Sequence, residues 1–494
     1  MASINDTIPF TGIFIDGKSR PASDNRSFEA RNPHSGKVVG LAASATSDDC
    51  RAAIESAGKA FKTWEKTTLY TRRAVFLKAA NLLETDRYQE KIMTSTRDET
   101  GASDGWRGHN IDSAIQVLRD VAGFTSLLKG EVYPSRLPGG QVIVERRPKG
   151  VIFAISPWNV PVLLSVRAVA VPILCGNTAI LKCSEISPRS QSIVAELFTE
   201  AGLPDGVLNF ISMDRKDAPK LTNEIIAHPL VKSINFTGSD VVGRILAGEA
   251  AKYLKPCVFE LGGKAPAVVL DDADIVKAAK AIVSSVLLHS GQCCMSTERV
   301  IVQRKASETL IPHIVELMES FTTVDTNLDP KGLSGLFTEA SAAKVVSLIE
   351  EARSEGAQLV VGDGTRQGNI IQPHVLVGCR PGTNVWSRES FGPVVVIAVA
   401  HTVDELIDLA NATDYSLAAS VWSGNAATAM HVARQIHSGV TNINGPTVHT
   451  EGMTHAGLGG ASGYGHFDVA HFTDMRLVVV HADGPTSYPV VGTA

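Results

Sequence analysis

The sequence predicts an α/β protein of more than one domain, built on a mostly parallel sheet with helices on its faces. Three observations predict it. At 494 residues the chain is longer than one core ordinarily serves. From Gly150 onward, short apolar runs alternate with helix-like segments, as strands buried on both faces do. A hydrophobic fraction of 44% with 20% charged residues is that of an ordinary soluble globular chain.

Residues 10–45 read as short strands and turns. Ser47, Asp48 and Asp49 mark a helix start, because short polar side chains accept from free backbone N–H groups. Ala53, Ile54, Ala57, Ala60, Phe61 and Trp64 then fall on one helical face, and the helical pattern continues over 75–83 and at 92–93. Residues 131–133 and 142–145 flank Leu137-Pro138-Gly139-Gly140, which reads as a hairpin with a glycine turn. Its free edge suits contact with a second subunit. The apolar run 476–480 is a further strand in need of a partner. Runs 151–155, 178–182, 206–211 and 231–236 read as the buried strands of the α/β sheet. Ligands sit beyond the carboxyl ends of such strands, where this chain places Asn159, Lys182, Gly238 and Glu260. A second α/β unit is expected over about 262–444, with strands near 267–270, 300–302 and 394–397.

Composition excludes several classes. A net charge of −5 leaves no basic footprint for nucleic acid or anionic membrane. No uncharged apolar run reaches the roughly 18–20 residues of a membrane helix, and the polar stretch 1–9 does not resemble a secretory signal. Residues 491–494 match no peroxisomal or prenylation ending. Seven cysteines without regular spacing do not form a disulfide framework. A working thiol favours a reducing compartment, so the cytoplasm is expected.

The chemistry concentrates between Asn235 and Arg299. Gly291-Gln292-Cys293-Cys294-Met295-Ser296 is a small-residue turn presenting a thiol. A strand-turn-helix reading would put Cys294 near free N–H groups and a positive dipole end, lowering its pKa. Cys293 is the weaker candidate. Glu260 lies 34 residues before Cys294, at the end of an apolar run. Burying a carboxylate there is costly unless it is paired or functional, which suits a general base. Asn159, at a strand end behind Pro157-Trp158, could donate to a developing oxyanion. The run from Gly238-Ser239 to Gly243 could hold a pyrophosphate at a helix start. Lys182 and Glu185 could hydrogen-bond the hydroxyls of a ribose, the acid disfavouring a 2′-phosphate and pointing to NAD rather than NADP.

Together these residues resemble the aldehyde dehydrogenase superfamily along nearly the whole chain. The matching motifs are Pro157-Trp158-Asn159, Gly176-Asn177-Thr178, Lys182-Cys183-Ser184-Glu185, Phe236-Thr237-Gly238-Ser239, Glu260-Leu261-Gly262-Gly263-Lys264, Gly291-Gln292-Cys293-Cys294 and Glu389-Ser390-Phe391-Gly392-Pro393. The resemblance implies a Rossmann-type nucleotide-binding domain over 1–128 and 148–261 and an α/β catalytic domain over 262–465. It also implies an oligomerisation arm formed by the hairpin 129–147 and the C-terminal segment 466–494, in a homodimer or homotetramer.

The resemblance also implies roles. Cys294 attacks the aldehyde, and Asn159 with the Cys294 backbone N–H stabilises the oxyanion. Hydride passes to NAD, and Glu260 activates the water that hydrolyses the resulting thioester. Cofactor contacts are expected from Ser156, Trp158, Lys182, Ser184 and Glu185. Further contacts are expected from Gly238, Ser239, Gly243, Leu261, Glu389 and Phe391. No metal ligands are expected. Within the superfamily, the run Gln292-Cys293-Cys294-Met295-Ser296-Thr297-Glu298-Arg299 and Asn444-Gly445-Pro446-Thr447-Val448 resemble salicylaldehyde, benzaldehyde and vanillin dehydrogenases. Trp106 could stack on an aromatic substrate, and Arg167 could meet a phenolic oxygen.

Two readings compete with an aromatic aldehyde dehydrogenase. One is a dehydrogenase of aliphatic aldehydes or semialdehydes; the other, from a different class, is a binding protein that kept the fold without turnover. The chain departs from the family pattern at Gly460 and His466, where lysine and arginine are common, and at Ser416, where glycine is usual. These departures bear on the substrate mouth and subunit contacts.

Overall fold

The computed structural model describes residues 8–448 and 457–483, together with 487–488, 490 and 492–493. Residues 1–7 at the N-terminus, His455 and Ala456 of the C-terminal loop, and Val491 and Ala494 lie outside the described residues.

Two large sheets carry the chain. In the first, five parallel strands run in the order Cys257–Glu260, Val231–Thr237, Val151–Ile155, Thr178–Lys182 and Leu208–Ile211. Every residue of 151–155 is buried because helices cover both faces. Alternation sorts the side chains. Ile152 and Ala154 join the core under helices Leu69–Leu83, Asp104–Gly123, Pro161–Leu174 and Pro188–Glu200. Val151, Phe153 and Ile155 join the opposite core with Ser47–Trp64, Ala218–Ala227 and Asp240–Ala251. Ser47–Trp64 starts where the sequence placed a helix start. Its cap is Thr46, which exchanges bonds with Asp49 in a capping box.

The second sheet has seven strands. Six are parallel, in the order His374–Val377, Val394–Ala400, Thr297–Gln303, Ala265–Val269, Ala418–Trp422 and Val440–Ile443; Gln358–Val361 adds an antiparallel edge. A third, smaller sheet joins the hairpin Glu131–Pro134 and Gln141–Pro148 to Thr473–Val480, the partner the C-terminal run required. Gly139 turns the hairpin with φ +77°.

Register brings the site together. Lys182 pairs with Ile155, Ile155 with Phe236, and Thr237 with Glu260, so the carboxyl ends of four neighbouring strands lie in one row. Strand order reverses between 151–155 and 231–237, the switch point where α/β sheets leave a crevice. Gly463–Tyr464, far along the chain, pairs antiparallel beside Glu260 and closes the sheet edge there.

Candidate active site

A cleft of about 270 Å³ opens at this switch point. Trp158, Asn159, Gly238, Ser239, Glu260, Leu261, Cys294, Glu389 and Phe391 all line it, and all were singled out from sequence. The first sheet supplies one wall; the turn before Thr297–Gln303 and the loop 389–391 supply the other.

The thiol arrives by a different route from the one expected. Leu288–Gly291 is a short 3-10 turn, Cys294 sits in the turn after it, and the strand Thr297–Gln303 follows. The β-branched residues Thr297, Val300, Ile301 and Val302 favour a strand, so no helix start reaches Cys294. The expected lowering of its pKa is therefore corrected. The neighbouring Cys293 thiol, burial and the Glu260 carboxylate hold the Cys294 thiol well above its ordinary range. His289, Ser290 and Gly291 carry φ of 48°, 56° and 78°, a left-handed run that turns the chain sharply before the thiol. At Gly291 any Cβ would lie 2.0 Å from the Gly392 carbonyl oxygen.

Asn159 is buried, and its Nδ2 donates to the Gln292 carbonyl at 3.0 Å. That acceptor fixes which end of the amide is nitrogen and leaves a second N–H to donate. Gln292 is held in turn: its Oε1 accepts from Phe337 N–H at 2.9 Å and its Nε2 donates to His289 O at 3.1 Å.

Glu260 is 2% exposed and pairs with the Arg167 guanidinium, which also donates to Thr237 Oγ1 at 3.2 Å and lies over the Phe467 ring. The sequence offered Arg167 for a phenolic oxygen; the fold commits it to the carboxylate. Trp106 is also placed behind the cleft. Its Nε1 donates to the Asn159 carbonyl at 2.7 Å, and its ring stacks between His109 and His289, so both ring faces are occupied.

The other expected contacts divide. Ser239 caps Asp240–Ala251 by accepting from Val242 N–H, leaving the first-turn amides of Asp240 and Val241 without intrahelical partners. Gly238 and Gly243 spend their own N–H groups on Glu260 O and Ser239 O. At Gly243 a Cβ would lie 2.6 Å from Leu261, so this glycine lets the helix approach the strand end. Lys182 is nine-tenths buried, and its ammonium has no ion pair or hydrogen bond among the described residues. Ser184 N–H donates to Gln191 at 2.7 Å, and Ser156 Oγ accepts from Gln191 Nε2 at 2.6 Å, so both serve the framework of this corner. Glu185 is half-buried at its rim. Glu389 accepts from Gly263 N–H at 2.8 Å. Burial and the neighbouring Glu298 carboxylate push its carboxyl up to about 8.

Sequence reasoning missed Glu298 and Lys264, an ion pair buried beneath the 389–391 loop. The signal was present: Glu298 opens an apolar strand run, the same anomaly that exposed Glu260. The departure at Ser416 also finds a local account. Its hydroxyl donates to Gly459 O at 3.2 Å and accepts from Leu458 N–H at 2.9 Å, tying down the glycine-rich loop.

A half-buried thiol, an oriented amide and a buried carboxylate line one crevice beside an open helix start, the arrangement of an enzyme's active site. The aldehyde dehydrogenase family model matches residues 20–479, and the chain belongs to that family. It is similar to a vanillin dehydrogenase of Pseudomonas fluorescens, 41% identical over 97% of this chain and 99% of the relative. It is similar also to a benzaldehyde dehydrogenase [NAD(+)] of Pseudomonas putida, 32% identical over 93% of this chain and 94% of the relative. Among solved structures, a salicylaldehyde dehydrogenase from Pseudomonas putida G7 complexed with salicylaldehyde superposes with a TM-score of 0.94 at 34% identity, covering 97% of this chain and 100% of that one.

Proposed function

We propose that this aldehyde dehydrogenase oxidises aromatic aldehydes to carboxylic acids with NAD, using Cys294 as nucleophile. The observation that carries the reading is the convergence of Cys294, Asn159 and Glu260 on one cleft that continues to the open helix start at Ser239.

The residues present suit NAD. The free first-turn amides of Asp240 and Val241 offer donors for a pyrophosphate. The unpartnered Lys182 ammonium, with Glu185 at the same corner, suits ribose hydroxyls, and an acid there disfavours a 2′-phosphate. Glu389 and Phe391 would hold the nicotinamide end; a Cβ at Gly262 would lie 2.7 Å from the Glu389 carboxylate, so the chain keeps that approach clear. When bound, NAD supplies the hydride acceptor.

The chain's own residues do the rest. The Cys294 thiol loses its proton to solvent, its sulfur adds to the aldehyde carbon, and the oxygen gains negative charge beside the free Asn159 N–H and the Cys294 backbone N–H. After oxidation the acyl group remains on sulfur as a thioester. Glu260 takes a proton from water, which adds to the thioester carbon and releases the acid and the thiol. Arg167 holds Glu260 in place until then.

The names of the relatives support an aromatic substrate. So does the apolar cluster beside the thiol, in which Trp106, Val160, Leu164 and Cys293 pack with Leu288, Met295 and Val448. The hairpin sheet and its exposed apolar strand support assembly into a homodimer or homotetramer. We assign 1–128 and 148–261 to the nucleotide-binding domain, 262–465 to the catalytic domain, and 129–147 with 466–494 to the arm. All seven cysteines are free thiols, which suits the cytoplasm. The mechanism is tested by intact-protein mass after mixing Glu260→Gln with NAD and benzaldehyde. A benzoyl adduct on Cys294 is expected; turnover at the wild-type rate with no adduct would refute the base assignment.

A further inference from the structure

We propose that Glu298 is a positioning residue for the cofactor: anchored by Lys264, it holds the loop Glu389-Ser390-Phe391 at the nicotinamide end of the cleft. The inference rests on the NAD reading above and adds the group that sets the loop's place.

The observations are geometric. Lys264 and Glu298 stand at the starts of the adjacent parallel strands Ala265–Val269 and Thr297–Gln303, where their side chains are 1% and 3% exposed and form an ion pair. The Glu298 carboxylate also accepts from Ser390 N–H at 3.0 Å and from Phe391 N–H at 3.2 Å. From the other side, Glu389 Oε1 accepts from Gly263 N–H, next to Lys264. The loop is thus clamped twice, by its own acid on Gly263 and by two of its amides on Glu298.

Position explains this arrangement better than stability does. A buried ion pair contributes little net stability against an apolar pair of the same shape, because both charges lose their hydration. Phe391 has φ +55°, a conformation an L residue holds only when its surroundings fix it, and the Glu298 carboxylate receives its N–H. The same strand, Thr297–Gln303, begins just after the thiol turn, while a Cβ at Gly263 would lie 1.9 Å from the Cys294 carbonyl oxygen. Cys294 and the 389–391 loop are therefore referenced to the same two strand ends. Loosening Glu298 shifts the cofactor loop relative to the thiol without changing a residue of either.

The test uses full-length Glu298→Gln, with Lys264→Met/Glu298→Gln as a second variant that removes both charges of the pair. NAD affinity is read by quenching of intrinsic fluorescence, together with KM for NAD, KM for aldehyde, and NAD-free hydrolysis of p-nitrophenyl acetate. Both variants are expected to weaken NAD binding and raise KM for NAD by tenfold or more, with KM for aldehyde within twofold. The ratio of NAD-dependent oxidation to ester hydrolysis should fall by the same factor. Wild-type NAD affinity in either folded variant would overturn the inference, as would oxidation and ester hydrolysis falling together. If the wild type itself bound no NAD, the cofactor reading would fail instead.

Discussion

Cys294 and Glu260 lie within electrostatic reach of each other, and their neighbours, rather than a helix dipole, set the state of the thiol. With the thiol held high, its proton stays on sulfur near neutrality, so kcat/KM for aldehyde is expected to climb between pH 7 and 9. Cys294→Ala is expected to abolish oxidation under all conditions. Glu389 gives a second pH dependence. Its carboxyl, pushed up to about 8, is mostly protonated at pH 7, and the ionised form accepts better from ribose hydroxyls. KM for NAD should therefore fall as pH rises through 8, and Glu389→Gln should flatten that dependence. The thiol was legible as a cysteine in a small-residue turn, and the carboxylate and the amide as polar groups at the ends of apolar strand runs. The partners of Arg167 and Trp106 were not legible. Arg167 lies 93 residues from Glu260 and Trp106 lies 53 from Asn159, so only the fold shows that both support catalytic candidates.

At the scale of elements, the helix Pro188–Glu200 shows how the nucleotide corner is fixed. Its start is held by a carboxylate from another helix: Glu99 accepts from the Arg189 and Ser190 amides and from the Ser190 hydroxyl, at 2.8, 2.8 and 2.6 Å. Glu99→Ala would orphan these buried donors and is expected to cost roughly 3 kcal/mol, read as a lowered Tm. Burial pushes the Glu99 carboxyl from 4.5 up to about 7. The unfolded chain gives up this proton first, so Glu99 contributes a loss of stability as pH rises from about 4.5 to about 7; Glu99→Gln should remove that part of the slope. Strand and helix alternation made most elements legible from 150 onward. The strand expected near 300–302 forms as Thr297–Gln303, a central strand paired with Ala265–Val269 and Val394–Ala400, and this pairing excludes the helix also expected after Cys294.

Across the whole molecule, the exposed surface of the arm points to assembly. Leu477, Val478, Val479 and Val480 are each 46–60% exposed on Thr473–Val480, an edge strand of the arm's sheet. A second copy of the chain is the partner proposed for this surface. Light scattering is expected to give a dimer or tetramer, and Leu477→Glu with Val479→Glu should shift it toward monomer. The parallel architecture was legible as a class, since runs buried on both faces read as continuous apolar stretches. The strand order that opens the crevice was not, because it depends on pairings between runs distant in sequence, such as Val151–Ile155 with Val231–Thr237.

The most direct test of the central claim is a kcat/KM comparison with purified enzyme and NAD. The substrates are benzaldehyde, vanillin, salicylaldehyde and a straight-chain aldehyde, followed by nicotinamide absorbance. The aromatic aldehydes are expected to lead by tenfold or more, about 1.4 kcal/mol of transition-state discrimination. An equal or aliphatic-leaning profile would contradict the aromatic assignment, and no NAD-dependent turnover with any of them would contradict the assigned chemistry.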